Sequence, residues 1–244
     1  KVLTDNVDYL LDHHADEFDL IAFASDEHNA RCGELSLGQY RDVPVFRFAT
    51  PQEDHIYWRP RLAMADANFA ALLDRVKPDL VHFHCLQRLG AGLLEVCRLR
   101  NIPHLVTLHD GWWLSDYPFM TDPAGNYARA GRDIMGLRRN PAIGGLASTN
   151  RAAWVRQALA GATRRLAVSE QFAQVYRDCG IQCDVIENGS SRLPVVPRPA
   201  ARGTVNLLHL GGLERHKGAY LIEAALKQQR LGQLHLTLVD LARD

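Results

Sequence analysis

The sequence predicts an α/β fold built on a parallel sheet with helices on both faces. Short apolar runs alternate with segments of helical spacing along the chain, the pattern of strand–helix–strand units. Prolines punctuate that alternation at Lys77-Pro78 and Ile102-Pro103, because the residue before proline avoids the helical region. Near the end, Leu207-Leu208-His209-Leu210-Gly211-Gly212-Leu213-Glu214-Arg215-His216-Lys217-Gly218 reads as a strand, a glycine-rich turn and a helix start. That is the local geometry for holding a phosphate.

In chain order, Lys1 to His14 has the spacing of a short amphipathic helix, and Phe18 to Ala24 and Val43 to Phe48 read as strands. Tyr57 to Val76 carries helical spacing at Leu62, Phe69, Leu72 and Leu73 and ends at Lys77-Pro78. Asp79 to His84 is then a strand, Leu89 to Leu99 a helix and His104 to Leu108 a strand. From His109 to about Thr149 the periodicity is lost and glycine, proline and aromatics gather, as in a long functional loop. Helix resumes from about Ala152 to Ala160, followed by a strand at Arg165 to Val168. Ser169 is placed to cap a helix running to about Arg177. Asp184 to Ile186 is a short strand, and the prolines of Arg192 to Pro199 mark a linker. A boundary is expected near Gly203, so that residues 1–203 form an N-terminal domain with its linker near 189–203, and 204–244 begin a second domain with a strand at Thr204 to Leu210 and a helix from Ala219 to Leu226.

The 244 residues, 47% hydrophobic, suffice for one large domain or for one domain and part of another. Basic and acidic residues balance at 28 each without a polybasic run, which argues against nucleic acid as a partner. No apolar run approaches the roughly 20 residues needed to span a bilayer, and Lys1 to Leu20 lacks a signal-peptide core. A peripheral contact at the inner face of a membrane stays open. The five cysteines form no Cys-x-x-Cys pair or disulfide framework, so a reducing, cytoplasmic setting is expected. Only Lys1, Lys77, Lys217 and Lys227 are lysine, which sets Lys217 in its glycine-rich turn apart from a routine surface residue.

Five constellations carry candidate chemistry. His82 and His84 stand two apart on one strand and therefore on one face; they offer two metal ligands without a recognisable third, or else polar caps on a buried strand. His84 is nearer the carboxyl edge, where open α/β sheets bind their ligands. The strand at Leu105 to Leu108 delivers His109 and Asp110 to the same edge, with Trp112 and Trp113 available either to a sugar ring or to the core. Ser169 reads as a cap, and Asn188-Gly189 as a turn. In the last, Gly211 and Gly212 open the backbone to an anion and Lys217 supplies a mobile positive charge.

Taken in order, Pro78-Asp79-Leu80-Val81-His82-Phe83-His84, Thr107-Leu108-His109-Asp110, Val168-Ser169-Glu170, Ile186-Glu187-Asn188-Gly189 and Gly211 to Gly218 resemble the motif series of the GT-B glycosyltransferases, particularly the large retaining class called family 4 or group 1. The resemblance covers nearly the whole chain. It implies an acceptor-side Rossmann-like domain, a donor-binding Rossmann-like domain and a cleft between them. By position it implies that His109 sits beside the transferred sugar and that Lys217 binds the donor diphosphate; with the residues around them, the candidates are His109 and Asp110 for catalysis, Gly211, Gly212, Arg215 and Lys217 for diphosphate binding, and His84, Trp112, Trp113 and Asn188 for acceptor or sugar contacts. Gly212 stands where the family usually has arginine, and Arg215 does not match that position. The family's opening strand and its Glu-x7-Glu segment have no counterpart in the sequence, so a chain clipped at both ends is expected.

The function these features lead to is transfer of a sugar from a nucleotide-sugar donor to a hydroxyl of a glycan or lipid-linked acceptor, with retention, and with no metal or other cofactor required. The front-face displacement is what the resemblance implies. Two alternatives accompany it: a non-catalytic acceptor-binding or scaffolding module, and a GT-B-like phosphorylase or epimerase.

Overall fold

A computed structural model describes residues 2–29, 31–122, 145–189, 205–213, 215–228 and 234–239. The expected linker at Arg192 to Pro199, the boundary near Gly203 and the middle of the long loop lie outside the described residues. The chain divides into two compact units, the first carrying the elements up to Val185 and the second those from Val205 onward.

In the first unit the order is α1 (Val2–His13), β1 (Ala22–Asp26), β2 (Leu35–Tyr40), β3 (Val43–Ala49), α2 (Ala63–Val76), β4 (Val81–Phe83), α3 (Gly92–Leu99), β5 (His104–Leu108), α4 (Gly145–Ala160), β6 (Arg164–Ala167), α5 (Glu170–Asp178) and β7 (Asp184–Val185). β4, β5, β6 and β7 form one sheet in that spatial order, every pair parallel. β1 pairs in parallel with β3, which also pairs antiparallel with β2. This is the Rossmann-like α/β class that the sequence predicts.

Three local departures have identifiable causes. The expected helix from Tyr57 is interrupted: a 3-10 turn covers Ile56–Trp58, Arg59 is extended, and α2 starts only after Pro60. Proline has no N–H to continue a helical ladder and forces its predecessor out of the helical region. α2 does end as expected, with Lys77 left-handed before Pro78 and its N–H donating to the Leu73 carbonyl at 2.8 Å. α3 begins three residues later than the spacing suggests, because Gly90 bridges to Arg61 and the Ala91 N–H donates to the Pro60 carbonyl at 2.7 Å. The third departure is β2 itself. It turns into β3 through Arg41-Asp42, with Arg41 at φ 51°, and this two-residue loop lacks the Asn-Gly or Asp-Gly signature of such hairpins.

The core lies between the strands and α2, α3, α4 and α5. Phe23 of β1 stacks on Phe48 of β3 and meets Phe69 of α2 at 5.2 Å, and Phe69 in turn meets Phe83 of β4 at 5.9 Å. α1 buries none of its residues and is tied instead by polar contacts. Tyr40 donates to Asp8 at 3.0 Å, and Arg41 bonds Asp8 at 3.1 Å and Asp12 at 2.6 Å.

The second unit contains β8 (Val205–His209), a 3-10 turn (Arg215–Lys217), α6 (Ala219–Gln228) and β9 (Leu234–Leu238). β8 and β9 pair in parallel, Val205 opposite Leu234 through His209 opposite Leu238. The strand, turn and helix are the elements expected at this glycine-rich sequence, and the helix crosses to a parallel strand, β9, that the sequence pattern did not signal.

Candidate functional site at the carboxyl edge of the sheet

β4 and β5 are adjacent and parallel, so the residues that follow them emerge side by side. Phe83 pairs with Val106, which sets His84 against the end of β5. His84 Nδ1 and His109 Nε2 lie 2.9 Å apart, and the two rings meet edge to edge, their planes 24° apart and their centroids 5.2 Å apart. His82, on the same face of β4 as its spacing requires, lies 4.3 Å from the His84 ring and bonds Thr107 Oγ1 through Nε2 at 2.8 Å. Burial holds all three imidazoles below their ordinary value, His84 down to about 3. Among the described residues, no group of three or more His, Cys, Asp or Glu side chains is arranged to hold a metal ion.

His84, Gln87, His109 and Asp110 line a small recess open to solvent, backed by Trp112 and Trp113. Asp110 faces inward. Its Oδ1 accepts from the Trp112 N–H at 2.9 Å and its Oδ2 from Gln87 Nε2 at 2.6 Å, while its carbonyl accepts from Tyr176 Oη at 2.6 Å. Burial raises its carboxyl above the usual range, opposed by those two donors and by the charge of Arg151. Both carboxylate oxygens are thus engaged in shaping the loop that follows β5. The tryptophan rings sit in the hydrophobic core, 1% and 3% exposed, edge to face at 5.0 Å.

The loop after β5 turns back tightly at Gly111, whose N–H donates to the Pro118 carbonyl at 2.6 Å; a Cβ there would stand 2.6 Å from Met120 Cγ. Arg151 of α4, 2% exposed, locks the arrangement from behind. Its guanidinium donates to the carbonyls of Trp58 at 2.7 Å and Trp112 at 2.8 Å, and lies over both indole rings. Trp112 Nε1 donates to the Tyr57 carbonyl at 2.6 Å, closing the frame on the 3-10 turn.

Ser169 caps α5 as expected, its hydroxyl accepting from the Phe172 N–H at 3.2 Å. Asn188 follows β7, two strands away from β5 or about 10 Å along the edge, and is exposed. In the second unit, Gly212 adopts φ 78°, a conformation that side-chain-bearing residues rarely tolerate. Gly211 serves a close approach: a Cβ there would stand 2.8 Å from the ring of His209, which reaches across the turn and donates from Nε2 to the Gly212 carbonyl at 3.1 Å. Lys217 is exposed at the end of the 3-10 turn that Arg215 opens.

Sequence reasoning brought together His84, His109, Asp110 and the tryptophans. It did not reach Gln87, Arg151 or Tyr176, whose contacts with the loop span 23 to 66 residues of sequence. No local spacing signals such a contact.

The Rossmann-like sheet carries its histidine-lined recess at the carboxyl edge, the place where open α/β sheets bind their ligands. Residues 9–190 match the family model described as Glycosyltransferase Family 4, and the chain belongs to that family. A comparison with curated proteins finds no match.

Proposed function

We propose that a protein carrying this chain transfers a sugar from a nucleotide-sugar donor to a hydroxyl of a glycan or lipid-linked acceptor, with retention at the anomeric carbon. The observation that carries the reading is His109 at the end of β5, lining the recess inside the segment that matches the family. The transferred sugar would lie against His109 and His84, with Asp110 holding the loop in shape. As the donor breaks, positive charge grows on the sugar and negative charge on the departing diphosphate. Lys217 and the backbone of the Gly211-Gly212 turn would stabilise that negative charge, the effect that usually contributes most to such reactions. No cofactor is required by this chemistry, and the second unit would be the donor side. All five cysteines are free, which supports a reducing, cytoplasmic setting. Among the described residues no helix is long and apolar enough to cross a membrane.

One observation favours a second reading, an acceptor-binding module without transfer. The His209 ring fills the space beside Gly211, and Gly212 supplies no side chain to a diphosphate. Titration calorimetry with UDP and GDP separates the two. Binding that weakens at least about tenfold in Lys217→Ala supports the transferase. Absence of binding, or affinity unchanged by the substitution, supports the module.

A further inference from the structure

His84 and His109 are each other's hydrogen-bond partner. The 2.9 Å contact uses Nδ1 of His84 and Nε2 of His109, and among the described residues neither ring nitrogen bonds any other group. An active-site histidine is commonly oriented by a carboxylate or a backbone carbonyl, groups that only accept and so fix one tautomer. Here the partner is a second imidazole, which can donate or accept through the same nitrogen. The nearest carboxylate in the recess, Asp110, has both oxygens occupied by the Trp112 N–H and Gln87. The other titratable ring facing the pair, His82, is bonded to Thr107.

We infer that His84 and His109 form a tautomer-coupled pair, in which His84 is the positioning residue that sets which nitrogen of His109 carries the proton. Two neutral rings joined by Nδ1 of one and Nε2 of the other hold a single proton between them. If His84 Nδ1 carries that proton, His109 Nε2 is bare and its own proton sits on Nδ1. If His109 Nε2 carries it, His84 Nδ1 is bare and its proton sits on Nε2. In the first state both rings are Nδ1–H tautomers, and in the second both are Nε2–H tautomers, so the two rings always match.

The bond also gives a balanced proton path. A proton arriving at the outer nitrogen of one ring sends the shared proton across the 2.9 Å contact and releases the proton on the outer nitrogen of the other. Both rings change tautomer and no net charge remains on the pair. The burial that holds both imidazoles neutral at pH 7 keeps this single-proton state populated. That the incoming proton is an acceptor hydroxyl's rests on the transferase reading; the matched tautomers do not.

Long-range proton–nitrogen correlation spectra of the histidine-labelled protein at pH 7.5 test this directly, with signals assigned through His84→Phe and His109→Phe. His84 and His109 should show the same tautomer populations, and the ring-nitrogen shifts of His109 should move in His84→Phe while those of His14, bonded to Glu17 outside the recess, stay put. Opposite or unequal tautomers in the wild-type protein would overturn the pair, as would His109 shifts indifferent to His84→Phe. If His84→Phe does not fold, the wild-type populations decide alone, with assignment through His109→Phe. Calorimetry with UDP and GDP tests the transferase reading independently, so the failure of one is distinguishable from the failure of the other.

Discussion

The guanidinium of Arg151 lies 4.7 Å above the Trp112 ring and donates to the Trp112 carbonyl at 2.8 Å. One side chain of α4 thereby holds both the ring and the backbone of the loop that begins with His109 and Asp110. Two further donors tie the same guanidinium to the carbonyls of Trp58 and Ser115, at 2.7 and 3.4 Å. The site is a braced loop, its position set by contacts behind it.

Replacing Arg151 with methionine leaves these carbonyls buried without donors. We expect a loss of about 3 kcal/mol in urea unfolding. Arg151→Lys should lose most of that, because an ammonium cannot serve the carbonyls in the fork geometry while lying flat over two rings. Wild-type stability in Arg151→Met would show that the brace is dispensable.

The histidine cluster should make the fold sensitive to mild acid. His82, His84 and His109 are held below their ordinary 6.5, first of all by burial, His84 down to about 3. Below 6.5 the unfolded chain binds protons that the folded chain refuses, so the stability these rings contribute is fully present above pH 6.5 and is lost as pH falls through their folded values, for His84 about 3. Asp66 and Asp110 act in the opposite sense. Burial raises both above 3.8, and each adds stability as pH falls through its folded value toward 3.8. The urea midpoint is therefore expected to fall from pH 7 to pH 5.5, and less steeply in His84→Phe. A midpoint with no pH dependence over that interval, or an identical slope in the variant, would contradict neutral buried rings.

Gly92, at the start of α3, packs against a carboxylate. A Cβ there would stand 2.2 Å from Asp66 Oδ1 and 2.5 Å from Oδ2, while Arg61 donates to Oδ2 at 2.7 Å and Oδ1 is buried with no partner among the described residues. Gly92→Ala should cost about 2 kcal/mol by overpacking. The loss should shrink in an Asp66→Ala background, where the clash is gone. Equal losses in both backgrounds would place the strain elsewhere.

What the sequence made legible follows from how local each signal is. β4, β5, β6 and β7 declare themselves through short apolar runs with proline or turn residues at their ends, and a parallel arrangement brings His84 and His109 to one edge without further information. The pairing of those two rings depends on register, which the apolar pattern leaves to packing. Arg151 was not legible because Gly145 to Ala160 has no clear apolar stripe to tell its buried face from its exposed one. Trp112 and Trp113 were equally consistent with a sugar platform and with the core, and only their burial separates the two. At the glycine-rich turn, composition suggested room for an anion, whereas Gly211 also makes room for the ring of His209.

His109 stands at the centre of the proposed function, and the most direct measurement compares its effect on turnover with its effect on donor affinity. Release of nucleoside diphosphate from UDP- and GDP-sugars would be followed for wild type and His109→Ala, with UDP and GDP affinities measured on the same preparations. Turnover should fall at least about a hundredfold while affinity stays within about threefold. Wild-type turnover in His109→Ala would contradict a role for this residue at the transferred sugar.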